Sequence, residues 1–257
     1  VSIMIATDLH THTTYCDGKN TPAEMAAAAY ARGFSRFGMS GHSYVAFDTC
    51  CMSKENTELY RAEVQRLKKE YEGRMEILLG VEQDFYSEMP TEGYDYVIGS
   101  VHYLKVTDPD TGEACYPAID DTEEILKAAC EKYFAGVMLS VAEAYYETVA
   151  QVAEKTNCDI IGHVDLITKY IEKDPLFDTG DPRYVAAWKK AVDRLLTCGK
   201  PFEVNVGAIA RGYRTTPYPA PEIIAYIKER GGKLVLSSDS HSAENVGFEF
   251  EKWGEMI

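Results

Sequence analysis

Short runs rich in β-branched and apolar residues alternate with helical patterns along the chain. The first strand-like run covers residues 3–9. Thr21-Pro22 then opens a helix over residues 23–32, with Thr21 as N-cap, Pro22 at the first helical position and Gly33 as the stop. Further strands are expected at 37–40, 75–82, 94–101, 158–164, 202–206 and 233–238. Helices are expected at 55–72, 121–134, 140–156, 182–198 and 221–230, with a last one from 244 to the end. Residues 105–120 are polar and turn-rich (Asp108-Pro109-Asp110, then Thr111-Gly112) and read as a loop, a candidate lid.

About seven β-then-α units follow one another with no Ser/Gly/Pro-rich linker, so one domain over residues 1–257 is expected. Strands that alternate with helices imply parallel pairing and right-handed crossovers. This is the α/β class, and seven units in this length favour a closed, barrel-like ring over an open doubly wound sheet. No Gly-x-Gly-x-x-Gly follows the first strand, which weakens a dinucleotide-binding reading. The sequence contains no internal repeat.

Composition narrows the partners. Of 257 residues 46% are hydrophobic and 26% charged, as in an ordinary globular protein, and the formal net charge is -15. The basic footprint that a nucleic-acid backbone requires is missing, so no nucleic-acid partner is expected. A small anion remains possible where local cations override the global field, and bound divalent metals are the strongest such cations. The seven cysteines are odd in number and form no Cys-x-x-Cys pair, which argues against a disulfide framework and a zinc ribbon. Cys16 lies between candidate ligands and is read as a small loop residue, with metal contact as the minority alternative. The chain opens on Val1, so a start residue is expected to be missing. The first residues show no basic start followed by a long apolar run, and no apolar stretch exceeds strand length. Together with the free thiols this leads to the expectation of a cytoplasmic protein without a membrane partner.

The six histidines, His10, His12, His42, His102, His163 and His241, each fall at or just past the C-terminal end of an expected strand. In an α/β barrel those ends converge on one face, where active sites are built. Asp8-Leu9-His10-Thr11-His12 places two imidazoles two residues apart, on one side of an extended chain. Ser238-Asp239-Ser240-His241 repeats that spacing with a carboxylate and an imidazole. In Gly162-His163-Val164-Asp165 the carboxylate is placed to orient the ring. Asp17 follows in the loop after His12, and Glu82 closes an apolar strand, a poor place for an unpaired carboxylate. Any one of these residues alone is better read as surface, turn or ion-pair chemistry. Six imidazoles and three carboxylates on one face exceed a single tetrahedral site and suit two or three metals that share bridging carboxylates.

These segments, with Gly41-His42, Gly80-Val81-Glu82 and Gly99-Ser100-Val101-His102, resemble the polymerase-and-histidinol-phosphatase (PHP) family of metallohydrolases, in the family order from Asp8 to His241. Within it, Gly99-Ser100-Val101-His102-Tyr103, Gly162-His163-Val164-Asp165-Leu166-Ile167 and the 207–219 segment with Arg211, Arg214 and Tyr218-Pro219 are most similar to monofunctional histidinol-phosphatases. The resemblance implies a distorted (β/α)7 TIM-like barrel and a trinuclear centre. One metal would be held by His10, His12, Glu82 and Asp239. A second would be held by Glu82, His102 and His163, and a third by Asp17, His42 and His241. Zinc, manganese and iron all suit the nitrogen and oxygen donors.

The chemistry so implied is hydrolysis of a phosphomonoester, with L-histidinol phosphate as the expected substrate in histidine biosynthesis. Arg211, with its planar fork, and Lys169 are the leading candidates to hold the phosphate, with Arg214 and Ser100 behind them. Asp165 is a candidate proton donor to the leaving group, beside a metal-bound water or a loop residue. A loop acid could pair with the substrate ammonium, and Tyr44, Tyr103 or Tyr213 could stack on its imidazole. The alternatives are another small phosphate ester or nucleotide, a 3′–5′ exonuclease, which the missing basic surface disfavours, and a non-catalytic metal-binding domain, which the complete ligand set disfavours.

Overall fold

The computed structural model describes residues 7–257. Its main sheet has seven strands, hydrogen-bonded in chain order: β1 (Thr7–Asp8), β2 (Arg36–His42), β3 (Glu76–Asp84), β4 (Tyr96–Ser100), β5 (Ile160–Ile161), β6 (Phe202–Asn205) and β7 (Leu234–Ser237). Every pair in it is parallel. Just past β1 and β7, Thr11 and Ser240 form a parallel bridge, and the His12 amide donates to the Ser240 carbonyl at 2.8 Å. The sheet thereby curls into a nearly closed barrel, the ring that the alternating pattern implies. Residues 3–6 of the first expected strand lie outside the described residues.

Helices α1 (Pro22–Ala31), α2 (Lys54–Glu70), α3 (Glu123–Phe134), α4 (Met138–Val149), α5 (Val152–Thr156), α6 (Pro182–Thr197), α7 (Gly207–Ala210) and α8 (Pro221–Glu229) fill the connections. Their starts are chemically marked. Thr21 Oγ1 accepts the Glu24 amide at 3.2 Å while the Glu24 carboxylate accepts the Thr21 amide at 2.8 Å, a reciprocal capping box. Ser53, Thr122 and Asp181 cap α2, α3 and α6. Among the described residues no helix is long and apolar enough to cross a membrane.

Three expectations differ from the structure. The helix expected at 140–156 is two, because the end of α4 tightens and the Gln151 amide donates to Thr148, three residues back, at 3.0 Å. The terminal helix breaks into short turns around Phe250–Trp253, with Gly247 at a φ of 65° before it. The 105–120 loop is an antiparallel ribbon, Val106–Thr107 against Ala114–Cys115, extended by a bridge between Tyr103 and Ala118. Asp108 closes its turn by accepting the amides of Asp110 and Thr111 at 2.8 and 3.1 Å.

The main core lies between the sheet and its helices, around Met25, Phe37, Tyr60, Leu79 and Val192. A smaller cluster of Tyr96, Ile98 and Ile160, with Leu9, Leu78 and Val235 against it, packs separately. Tyr96 explains two glycines. A Cβ on Gly80 would sit 2.2 Å from its Cζ, and one on Gly38 would sit 2.2 Å from its hydroxyl oxygen. Glycine at both positions lets the ring cross β2 and β3, from where its hydroxyl donates to the Leu9 carbonyl at 2.5 Å.

Candidate metal centre and substrate cavity

All nine expected ligand side chains meet at the C-terminal end of the barrel. Register does part of this, since His42 on β2 lies directly beside Glu82 on β3. His10 and His12 follow β1, His102 follows β4, His163 follows β5, and Asp239 and His241 follow β7. Glu82 is the hub, with its side chain fully buried. Its Oε2 lies 3.1 Å from His10 Nε2, 3.1 Å from His42 Nδ1 and 3.4 Å from His12 Nε2. Its Oε1 lies 3.0 Å from His163 Nε2 and 3.2 Å from His102 Nε2. Asp239 Oδ1 adds contacts of 3.4 Å to His10 and 3.1 Å to His12. Toward solvent, Asp17 lies 3.5 Å from His42 Nε2 and 3.3 Å from His241 Nε2.

Three groups have donor atoms close enough to share an ion: His10–His12–Asp239, His42–Glu82–His102, and His12–Asp17–His42–His241. His12 and His42 each turn one ring nitrogen to one group and the other nitrogen to a second. The partition implied by the resemblance differs in adding Glu82 to His10, His12 and Asp239, in counting His163 with Glu82 and His102, and in giving His12 and His42 a single metal each. The donor set fits divalent cations on a further observation. His10 Nε2 and Glu82 Oε2 are buried 3.1 Å apart, yet neither has a hydrogen-bond partner. Two such atoms crowding one buried point suit a shared cation. Cys16 Sγ stands 3.6 Å from His12 Nδ1 and belongs to none of the three groups.

An outer layer holds these rings, and the sequence reading missed it. Glu203 on β6 accepts from His10 Nδ1 at 2.5 Å and from the His163 amide at 3.2 Å. Asn205 donates to Glu203 at 2.5 Å and to Asp239 Oδ2 at 3.1 Å. Asp84, at the end of β3, lies 3.1 Å from His102 Nδ1. Carboxylates of this kind fix the tautomer and tilt of a ligating ring. The signal for Glu203 was the one used for Glu82, an acid inside an apolar strand (Phe202-Glu203-Val204).

Burial and neighbouring charges move these groups in different directions when no cation is bound. Burial disfavours a charged His10, but the Glu203, Asp239 and Glu82 charges outweigh it and hold the ring well above its usual range. His12 is pressed down to about 3 by burial and by the neighbouring His241 and His42 charges. Burial opposes ionisation of Glu82 and Asp239 too, yet the imidazoles and, for Asp239, Arg211 keep both carboxyls well below the usual range.

The cluster opens into a cavity of about 400 Å³. Arg211, Lys169, Tyr213 and Tyr218 are among the residues lining it. Arg211 donates to the Asp239 carbonyl at 2.8 Å, and Lys169 donates to the Asp120 carbonyl at 2.6 Å. Asp48, Asp120 and Asp121 also line the cavity, as does Tyr103, which donates to Asp48 at 2.6 Å.

Three residues expected to bind phosphate or to donate a proton are not on the cavity wall. Ser100 is packed beneath Gly162, where an added Cβ would meet its Oγ at 2.3 Å. Arg214 is buried and donates to the carbonyl and hydroxyl of Thr168 at 3.0 and 2.6 Å. Asp165 is fully buried and accepts the Ala220 amide at 2.8 Å, while His163 Nδ1 has no partner among the described residues, so Asp165 does not orient that ring as expected.

Burial raises the Asp165 carboxyl to about 6 despite the opposing Arg214 charge. A raised folded pKa means that the folded chain binds this proton more tightly than the unfolded chain. That stability is complete below about 3.8 and is lost as pH rises through about 6. Asp165→Asn, neutral throughout, is therefore expected to gain up to about 3 kcal/mol on the parent between pH 4 and pH 8 in denaturant unfolding. Its turnover should stay within about tenfold of the parent, because a proton donor contributes roughly 10²–10⁴-fold. A larger loss would restore Asp165 as the donor.

Comparison with known proteins gives the family and the fold. The PHP domain profile matches residues 8–206. A Deinococcus radiodurans protein named a probable histidinol-phosphatase is 33% identical over 258 residues, covering 95% of this chain and 89% of its own. The Bacillus subtilis histidinol-phosphatase is 25% identical and covers 96% of this chain and 98% of its own. A solved structure from Listeria monocytogenes superposes with a TM-score of 0.79 at 20% identity, covering 96% of this chain and 99% of that one. The histidinol phosphate phosphatase of Lactococcus lactis, solved with zinc, L-histidinol and phosphate, superposes with a TM-score of 0.70 at 21% identity, over 98% of this chain and 92% of that one. At these identities the two structures establish the shared fold.

Proposed function

The chain belongs to the PHP domain family, and from that premise we propose that it is a metal-dependent phosphomonoesterase that hydrolyses L-histidinol phosphate to L-histidinol and phosphate. The observation that carries the reading is the meeting of nine nitrogen- and oxygen-bearing ligand side chains, with Glu82 as their hub, where the cavity begins. The substrate class rests on the relatives, two of which carry the histidinol-phosphatase name.

In this reading His10, His12, Glu82 and Asp239 hold one metal, Glu82, His102 and His163 a second, and Asp17, His42 and His241 a third. Zinc is the first metal to test, with manganese and iron after it. Such ions supply Lewis acidity and lower the pKa of water toward neutrality. The chain's own groups position the ester. Arg211 and Lys169 bring two cations to the cavity wall, where they bind the phosphate and keep it against the floor. Asp48, Asp120 and Asp121 give the same cavity the negative charge that an ammonium-bearing alcohol needs. A volume of about 400 Å³ suits a small metabolite, and the net charge of -15 repels a nucleic-acid backbone. We place this reaction in the cytoplasm.

The test is phosphate release from L-histidinol phosphate against a panel of other phosphomonoesters, with metal content assayed on the same sample. A clear preference with two to three metals per chain is expected. Bound metals with no preference would keep the hydrolase and discard the substrate.

A further inference from the structure

Tyr218 is buried, at 1% exposure, and its hydroxyl has no hydrogen-bond partner among the described residues. A buried phenol is a donor that normally finds an acceptor, and leaving it unpaired costs free energy. The residue lines the substrate cavity. Its backbone is fixed by an antiparallel bridge to Asn205, with N···O distances of 2.7 and 3.0 Å. Its ring lies edge-on to His163, with centroids 6.3 Å apart, and the Arg214 guanidinium stands 5.3 Å over its face. Backbone, ring and cation thus hold the side chain in place, and no described residue hydrogen-bonds the hydroxyl. Arg214, expected from the sequence to bind phosphate directly, instead supports this ring.

We propose that the Tyr218 hydroxyl is a catalytic hydrogen-bond donor that waits for a phosphoryl oxygen of the substrate. The inference rests on the phosphomonoesterase reading and deepens it. Arg211, Lys169 and the metal ligands bring charge to the same cavity, while Tyr218 brings a neutral, directional donor. A donor fixed before the substrate arrives needs no reorganisation as charge builds on phosphorus, which is where such groups contribute most. No proton leaves the phenol in this role, so its protonated form serves throughout the reaction.

The test is Tyr218→Phe in the metal-loaded protein, with three readouts. First, kcat/KM for the phosphomonoester that the parent hydrolyses fastest should fall about 10²-fold. Second, affinity for inorganic phosphate, by calorimetry, should fall about tenfold or more, since a hydrogen bond to a charged acceptor is lost. Third, metal content and the thermal midpoint should not fall, because the ring still packs and the lost hydroxyl bonded to nothing in the protein. Phosphate affinity and kcat/KM both within twofold of the parent would overturn the proposal. A lowered midpoint with unchanged phosphate affinity would do the same and reassign the hydroxyl to the core. Failure of the substrate assignment reads differently: the parent would bind phosphate but show no preference for L-histidinol phosphate, and the Tyr218→Phe comparison would still be decided on phosphate affinity.

Discussion

Glu82→Gln is expected to lower turnover by about a thousandfold and to reduce metal content in the same preparation. Glu82 meets five imidazoles, with three nitrogens at Oε2 and two at Oε1. An amide keeps the volume but removes the negative charge, and it turns an NH₂ group toward one set of ring nitrogens. One cation site then loses its anionic oxygen, and the charge that offsets two adjacent cations is gone. Losing several kcal/mol of electrophilic stabilisation corresponds to about three orders of magnitude in rate. The fold should survive, because the β3 ladder uses backbone groups and is unaffected by the side chain. Elemental analysis, steady-state turnover and far-UV circular dichroism on one sample check all three statements. Full turnover in the variant would end the bridging assignment.

Removal of the metals is expected to abolish turnover and also to weaken the fold. Ligands bound to the native state alone stabilise it by mass action, about 2.7 kcal/mol for each site at a hundredfold excess over its dissociation constant. Dialysis against a chelator should therefore lower the thermal midpoint by several degrees or more, and zinc or manganese should restore both midpoint and rate. The effect has a pH sign. The His10 ring is held well above its usual range by Glu203, Asp239 and Glu82 even against burial, so in the metal-free chain a proton occupies it at neutral pH. The cation must displace that proton, and apparent metal affinity should rise with pH. A chelator-treated sample with unchanged midpoint and full activity would remove the metals from the account.

Much of the site was legible because its signals are local. The spacing of two from His10 to His12, and again from Asp239 to His241, is visible without knowing the fold. Their positions at strand ends followed from the alternation of strand and helix. Helix starts were equally local: Thr21, Pro22 and Glu24 act within one turn. The outer layer was not legible in this way. Glu203 is 193 residues from His10, and only closure of the barrel puts 2.5 Å between them.

Asp165, Arg214 and Ser100 show the opposite error. Each lies within a few residues of an expected site segment, and nearness in sequence was taken as access to the cavity. Asp165 instead accepts the Ala220 amide, Arg214 donates to Thr168, and Gly162 packs closely on Ser100. The ribbon at Val106–Cys115 was taken as a loop because strands of two residues leave almost no periodic signal.

The sequence by itself therefore determined the α/β class, the seven strands in order and the nine donors around Glu82. Hydrophobic period and short-range spacing act within a few residues, and a repeating βα unit multiplies them. The tertiary structure alone decided which of the remaining polar groups face the cavity. That choice depends on side chains from strands far apart in the chain, packed against one another where the barrel closes. It put Tyr218 on the wall beside Arg211 and Lys169, which the sequence had already offered, Asp165 behind it, and Glu203 beneath the ligands.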